Sequence, residues 1–137
     1  MSAAKVFFDT NILLYLLSED VAKADRAEAL LAAGGVISVQ VLNEFASVAS
    51  RKLRLSWPEI HEVLDTVRRL CRVEPLLLAT HERGLEISEH YGFSIYDALI
   101  VASALSAKCE VLLTEDLQDG QRIDDRLLVR NPFGQTC

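Results

Sequence analysis

The apolar positions of this chain fall into runs of two kinds, and the alternation between them predicts the fold. Short runs, Val6-Phe7-Phe8, Val36-Ile37, Val111-Leu112-Leu113 and Leu127-Leu128-Val129, are each followed at once or within two residues by polar residues. They are too short for helices and rich in β-formers, which predicts strands, the first of them buried on both faces as in a parallel sheet. Between them lie longer segments with helical character. A short apolar helix is expected from Asn11 to about residue 17, broken by Ser18-Glu19-Asp20, and an alanine-rich amphipathic helix over 21–33 that ends at Gly34-Gly35. The strand Val36-Ile37-Ser38 leads into a helix over 39–53. On it Gln40, Asn43 or Glu44, Ser47 and Arg51 form a polar face opposite Val41, Leu42, Phe45, Val48 and Ala49.

The rest of the chain repeats this alternation. Ser56-Trp57-Pro58-Glu59 has a capping serine, an early proline and a glutamate three residues on, which predicts a helix reaching about residue 71. Residues 73–78 contain Pro75 and suit an edge strand. A helix over 80–91 closes at Gly92, and Ser94-Ile95-Tyr96-Asp97 opens the most apolar helix, through Leu105. Residues 117–126 read as a loop around Gly120, before the last short strand and Asn131-Pro132-Phe133. Strands alternating with helices predict an α/β fold, a mostly parallel sheet covered on both faces. No repeat or linker interrupts it, so residues 1–137 are expected to form a single domain.

Composition narrows the class. Half of the 137 residues are apolar and a quarter are charged, the profile of a globular protein with a core large enough to stand without staples. No apolar run approaches the ~18 residues of a membrane span, and the N-terminal one, interrupted by Asp9 and Asn11, does not suit a signal peptide. Cys71, Cys109 and Cys137 lack C-x-x-C spacing and read as reduced thiols of a cytoplasmic protein, the first two as core fillers. His61, His81 and His90 show no ligand spacing and read as surface residues. A net charge of −6 argues against nucleic-acid binding by bulk charge but leaves room for a local basic strip or metal-mediated phosphate contacts.

Candidate chemistry lies in the acids. Asp9 follows the first strand, Glu44 lies within two turns of the helix after the second, Asp97 begins the most apolar helix, and Asp116 follows Val111-Leu112-Leu113. The C-terminal edges of parallel strands face one way, so Asp9, Glu44 and Asp116 are expected to converge there. Asp97 joins them if its helix starts at the same edge. Each acid also has a local reading: Asp9 or Thr10 as helix cap, Glu44 as part of a solvated stripe, Asp97 as the third residue of a cap begun by Ser94, Asp116 and Asp119 as turn formers. Clustered carboxylates cannot all stay ionised cheaply, and a hard divalent cation resolves that conflict. Metal-assisted phosphodiester hydrolysis is the chemistry that fits.

Phe8-Asp9-Thr10-Asn11, Val41-Leu42-Asn43-Glu44-Phe45, Tyr96-Asp97-Ala98-Leu99-Ile100 and Leu113-Thr114-Glu115-Asp116 together resemble the motifs of PIN-domain ribonucleases, most closely VapC-type toxins of bacterial toxin–antitoxin pairs. The resemblance extends from about Lys5 to Phe133. It implies a three-layer α/β/α sandwich and an Mg2+- or Mn2+-dependent endoribonuclease acting on RNA. It also implies a homodimer and a VapB-like antitoxin partner. By position, Asp9, Glu44, Asp97 and Asp116 take the family's catalytic and metal-binding roles, with Thr10, Asn11 and Thr114 orienting them. Glu115 to Gly120 holds more acids than the family's one or two, so Asp119 competes with Asp116 for the fourth position, and Asp116 is the one favoured.

Two basic clusters, Arg51-Lys52-Leu53-Arg54 and Arg68, Arg69 with Arg72, suit either RNA phosphates or helix C-termini. Leu53, Leu55 and Trp57 belong either to the core or to an antitoxin or dimer contact. A phospho-receiver domain would need an acidic pair after the first strand and a late lysine, and no lysine lies beyond Lys108. A haloacid-dehalogenase phosphatase would need D-x-D-x-T, which Asp9-Thr10-Asn11-Ile12 is not. The remaining rival is a catalytically silent PIN-like scaffold that binds RNA or protein, which the presence of all four acids disfavours.

Overall fold

The computed structural model describes residues 4–133. Six strands form one sheet in the order β3-β2-β1-β4-β6-β5. β1 (Val6–Phe8) is central, pairing in parallel with β2 (Gly35–Ser38) on one side and β4 (Val111–Leu113) on the other. β3 (Cys71–Glu74) extends the sheet beyond β2, and β6 (Leu127–Arg130) extends it beyond β4, both in parallel. β5 (Arg122–Ile123) closes the edge antiparallel to β6. Helices flank the sheet, as the strand–helix alternation requires: an α/β/α sandwich. They are α1 (Thr10–Leu14), continued by a 3-10 turn (Tyr15–Leu17), α2 (Val21–Ala32), α3 (Val39–Arg51), α4 (Trp57–Leu70), α5 (Leu78–Tyr91) and α6 (Ile95–Ser106). Among the described residues no helix is long and apolar enough to cross a membrane.

The core is where the short apolar runs predict it. Phe7, Phe8, Leu112, Leu127 and Val129 are fully buried or nearly so, and α6 is buried from Ile100 to Leu105. Cys71 and Cys109 are buried free thiols, and burial pushes each up to about 11. Cys137 lies outside the described residues. Both sides of the Ser56–Glu59 capping box form: the Glu59 N–H donates to Ser56 Oγ at 3.3 Å and the Ser56 N–H to Glu59 Oε1 at 2.8 Å. Ser56→Ala is therefore expected to cost about 1 kcal/mol, a fall of roughly 3–4 °C in melting temperature. A thermal melt with no measurable fall would show that α4 is held by packing alone.

Three expectations need correction. The edge strand spans Cys71–Glu74 rather than 73–78, because it must end before Pro75, which has no N–H to pair. Residues 117–126 are not all loop, since Arg122–Ile123 pairs with β6. Gly34 and Gly35 do not end α2 together. Gly34 takes the left-handed turn (φ +86°), whereas Gly35 already belongs to β2.

Candidate active site

The C-terminal edge of the sheet gathers the acids through short, local geometry. β1 ends at Phe8 and α1 starts at Thr10, so Asp9 sits at the turn with both roles that its sequence context allows. It caps α1, accepting from the Thr10 N–H at 2.6 Å, and it faces inward, only 4% exposed. Its N–H donates to the Leu113 carbonyl at 3.0 Å, which ties it to the end of β4. One residue beyond β4, the buried Thr114 hydroxyl donates to Asp9 Oδ2 at 2.7 Å. The same hydroxyl oxygen accepts from the Asp116 N–H at 3.0 Å and from Asn11 Nδ2 at 3.4 Å, which fills both its lone pairs. Asn11 Nδ2 also donates to Asp116 Oδ2 at 3.2 Å.

The other side of Asp9 is built the same way. Ser38 ends β2 and caps α3 through its hydroxyl, which sets the helix rotation so that Glu44 faces α1. The Thr10 hydroxyl donates to Glu44 Oε1 at 2.6 Å. Gln40, one turn earlier, donates through Nε2 to Glu44 Oε2 at 3.3 Å and to the Tyr96 carbonyl at 3.1 Å. Asp97 stands at the third position of α6 and its N–H donates to the Ser94 hydroxyl at 3.2 Å, the cap that its sequence predicts. A continuous hydrogen-bonded chain thus runs Asp116–Thr114–Asp9–Thr10–Glu44–Gln40–Tyr96, and Asp97 follows Tyr96.

The electrostatics follow from this crowding. Burial raises the Asp9 carboxyl to about 6 against the ordinary 3.8; bonds from Thr114 and Thr10 oppose the rise, and the charges of Asp116 and Glu44 add to it. Burial also raises Asp97, with the charges of Asp116 and Glu44 acting in the same direction. Gln40 bridges Glu44 and the Tyr96 carbonyl, so α6 starts at this edge, and the charges of Asp116 and Glu44 both act on Asp97. Asp116 and Asp119 separate cleanly. Asp116 is bonded to Asn11, whereas Asp119 Oδ1 accepts from the Asn131 N–H at 2.9 Å and steadies the chain after β6.

Whether these residues suit a divalent cation can be judged from their chemistry. The donor set is all oxygen and mostly carboxylate, as a hard cation prefers. Two buried acceptors at the site, Asn11 Oδ1 and Gln40 Oε1, have no hydrogen-bond partner, each a cost of ~1–3 kcal/mol. Among the described residues, however, no three Asp, Glu, His or Cys side chains stand close enough to form a ready cage. The acids are joined through intervening threonines rather than directly: Asp9 accepts from the Thr10 N–H while Glu44 accepts from the Thr10 hydroxyl, and the Thr114 hydroxyl donates to Asp9 while accepting from the Asp116 N–H. The chemistry fits a hard cation drawn in between the acids, and Asp9, Glu44, Asp97 and Asp116 are the side chains that could hold it.

Sequence reasoning missed Gln40 and Tyr15. Gln40 belongs to the predicted polar face but is buried, 6% exposed, because at this first turn of α3 it lies against the start of α6, whereas Asn43, Ser47 and Arg51 of the same face are exposed. The signal was its place four residues before Glu44, one helical turn away on the same face. Tyr15, four residues after Asn11, donates to Glu115 and packs on Phe133 with ring centroids 4.2 Å apart. Burial and Glu115 push its hydroxyl up to about 12. A cleft of about 620 Å³ opens beside Asn11, lined also by Leu14, Tyr15, Val48, Leu53 and Glu115. The three histidines are exposed.

Comparison with known proteins agrees with this architecture. A toxin–antitoxin complex from Klebsiella pneumoniae is similar at 25% identity, covering 94% of this chain and 98% of that one, with a TM-score of 0.67. VapC20 of Mycobacterium tuberculosis, a sarcin–ricin loop-cleaving toxin, is similar in fold at 20% identity, covering 82% of this chain and 92% of that one, TM-score 0.67. FitAcB from Neisseria gonorrhoeae shares the fold at 17% identity over 95% of this chain and 99% of that one, TM-score 0.66. No curated protein matches the sequence. The PIN domain matches residues 6–124, nearly the whole span from β1 to the β5 hairpin, and the chain belongs to the PIN-domain family.

Proposed function

We propose that the protein is a metal-dependent endoribonuclease and the toxin of a toxin–antitoxin pair. The observation that carries this reading is the chain of hydrogen bonds that gathers Asp9, Glu44 and Asp116 at one sheet edge, with Asp97 in electrostatic reach. Mg2+ or Mn2+ held there supplies Lewis acidity to a phosphodiester and to water, and offsets the charge that develops during hydrolysis. The chain's own residues do the rest. Thr10, Asn11 and Thr114 fix the carboxylates in place, and the burial of Asp9 keeps bulk water from weakening the field at the site. Arg51 lies seven residues beyond Glu44 on the same helix face, ~10 Å along the axis, where a neighbouring phosphate can reach it. Arg51, Lys52 and Arg54 are exposed and make no ion pair among the described residues. This local strip gives RNA a foothold despite the net charge of −6.

The toxin role draws support from the solved relatives, among them the Klebsiella toxin–antitoxin complex and the VapC20 toxin that cleaves the sarcin–ricin loop. On this reading the partners are RNA, a VapB-like antitoxin and a second copy of the chain, and the setting is the cytoplasm. Purified protein is expected to cut a structured RNA pool with Mg2+ or Mn2+ and to stop with EDTA. Combining Asp9→Asn with Asp97→Asn is expected to remove the cleavage. Cleavage that persists in the double variant would mean a different active site. A wild type that binds RNA without cutting it would instead be a silent scaffold.

A further inference from the structure

We infer that Gln40 is a positioning residue of this site, holding the Glu44 carboxylate and the start of α6 in a fixed relation; the inference rests on the nuclease reading above. Gln40 is the second residue of α3 and is buried, yet its side chain is polar. Its neighbours are both acceptors, Glu44 Oε2 at 3.3 Å and the Tyr96 carbonyl at 3.1 Å. The amide must therefore turn its NH2 group to them, and its two N–H bonds match the two acceptors. Oε1 is then left buried without a partner.

That arrangement is poor for stability alone. A buried orphan acceptor is a cost that an apolar side chain of the same length would avoid, and such exceptions call for a reason. Here the reason is geometric. The Thr10 hydroxyl holds Glu44 Oε1 and Gln40 holds Oε2, so the carboxylate plane is gripped from both ends. The second N–H of Gln40 anchors the residue immediately before Asp97. One amide thus links the acid of α3 to the backbone just before the acid of α6, two elements far apart in sequence. Groups that orient carboxylates toward a cation typically change metal affinity or turnover by 10–100-fold when removed.

The test compares wild type with Gln40→Met and Gln40→Leu, which keep the bulk and remove both donors. Four quantities are read: the melting temperature in EDTA, the Mn2+ dissociation constant, and kcat and KM for RNA cleavage. The variants are expected to melt in EDTA at or above the wild-type temperature, because the orphan oxygen is gone. The Mn2+ dissociation constant is expected to rise about 10-fold or more, and kcat to fall by ~10–100-fold with KM for RNA within about twofold. Variants with wild-type Mn2+ affinity and kcat would overturn the inference. So would variants that melt lower or fail to fold while the folded fraction binds Mn2+ normally, which would make Gln40 a structural tether. Failure of both variants to fold at all would assign the same tether role. If the wild type cuts no RNA, the nuclease reading falls by itself, and the Mn2+ constants still decide the role of Gln40. A wild type that binds no Mn2+ overturns both.

Discussion

Asp9→Asn is expected to melt higher than wild type in EDTA near neutral pH, while losing RNA cleavage by about 100-fold or more. The two effects share one cause. Asp9 is buried beside Glu44 and Asp116, and its carboxyl titrates at about 6 in the folded protein against an ordinary 3.8. Because the folded state binds the proton more tightly than the unfolded chain, the protonated acid favours folding at low pH. That advantage is lost as pH rises from about 4 through about 6, and above 6 the full penalty of a buried charge remains. The interval from 3.8 to about 6 corresponds to roughly 3 kcal/mol. Asparagine keeps a good cap for α1 but weakens the charge-assisted bonds from the Thr10 N–H and the Thr114 hydroxyl, so a net gain of about 1–2 kcal/mol is expected. For a chain of this size that is roughly 4–7 °C. The gain should shrink toward zero near pH 4, where the wild-type acid is itself neutral. Melting curves between about pH 4 and 8, with the metal chelated, read both features. An Asp9→Asn variant that is less stable at every pH would mean that Asp9 acts chiefly as a helix cap and that its burial carries no penalty.

Gly35→Ala is expected to be among the most damaging single-methyl changes in the chain. An added Cβ would lie 2.5 Å from Phe8 Cε2 and 2.8 Å from the Val6 carbonyl oxygen. The Phe8 ring is in the core, and the Val6 carbonyl belongs to the central strand, so neither can move without disturbing β1. Overpacking against backbone lies at the upper end of its usual cost, about 3 kcal/mol, a fall of roughly 10 °C. Gly34→Ala is the natural control. There the new methyl meets nothing closer than 3.7 Å, but φ is +86°, so the expected cost is only the ~1–2 kcal/mol of left-handed backbone. Equal or inverted costs in thermal melts would show that the two strands separate easily at this point. The spacing has functional weight because β1 delivers Asp9 and β2 leads into the helix that carries Glu44.

Short-range patterns were sufficient wherever short-range physics decides. Val6–Phe8 and Val111–Leu113 are strands because continuous apolar runs need burial on both faces. Ser56 with Glu59, Ser94 with Asp97 and the left-handed Gly92 mark helix ends through bonds spanning four residues or fewer. Asp9 and Asp116 were legible because each follows a readable strand, and Glu44 because its helix follows β2, whose end the parallel sheet aligns with theirs. Long-range contacts decided the rest. β5 is only two residues long and carries no pattern of its own; it exists because β6 pairs with it and because Tyr91 and Arg83 of α5 hold Asp124 in the hairpin. The arrival of α6 at the acidic edge depends on packing across the sheet, not on any strand before Asp97. Asp116 and Asp119 are equivalent as turn formers in sequence, and only their partners, Asn11 and Asn131, separate them. Gln40 reads as surface in a helical projection, because the projection shows that a face is polar but not what lies against it. The start of α6 lies against Gln40, while Asn43, Ser47 and Arg51 of that face stay exposed, and that contact turns an apparent surface glutamine into a buried neighbour of Glu44.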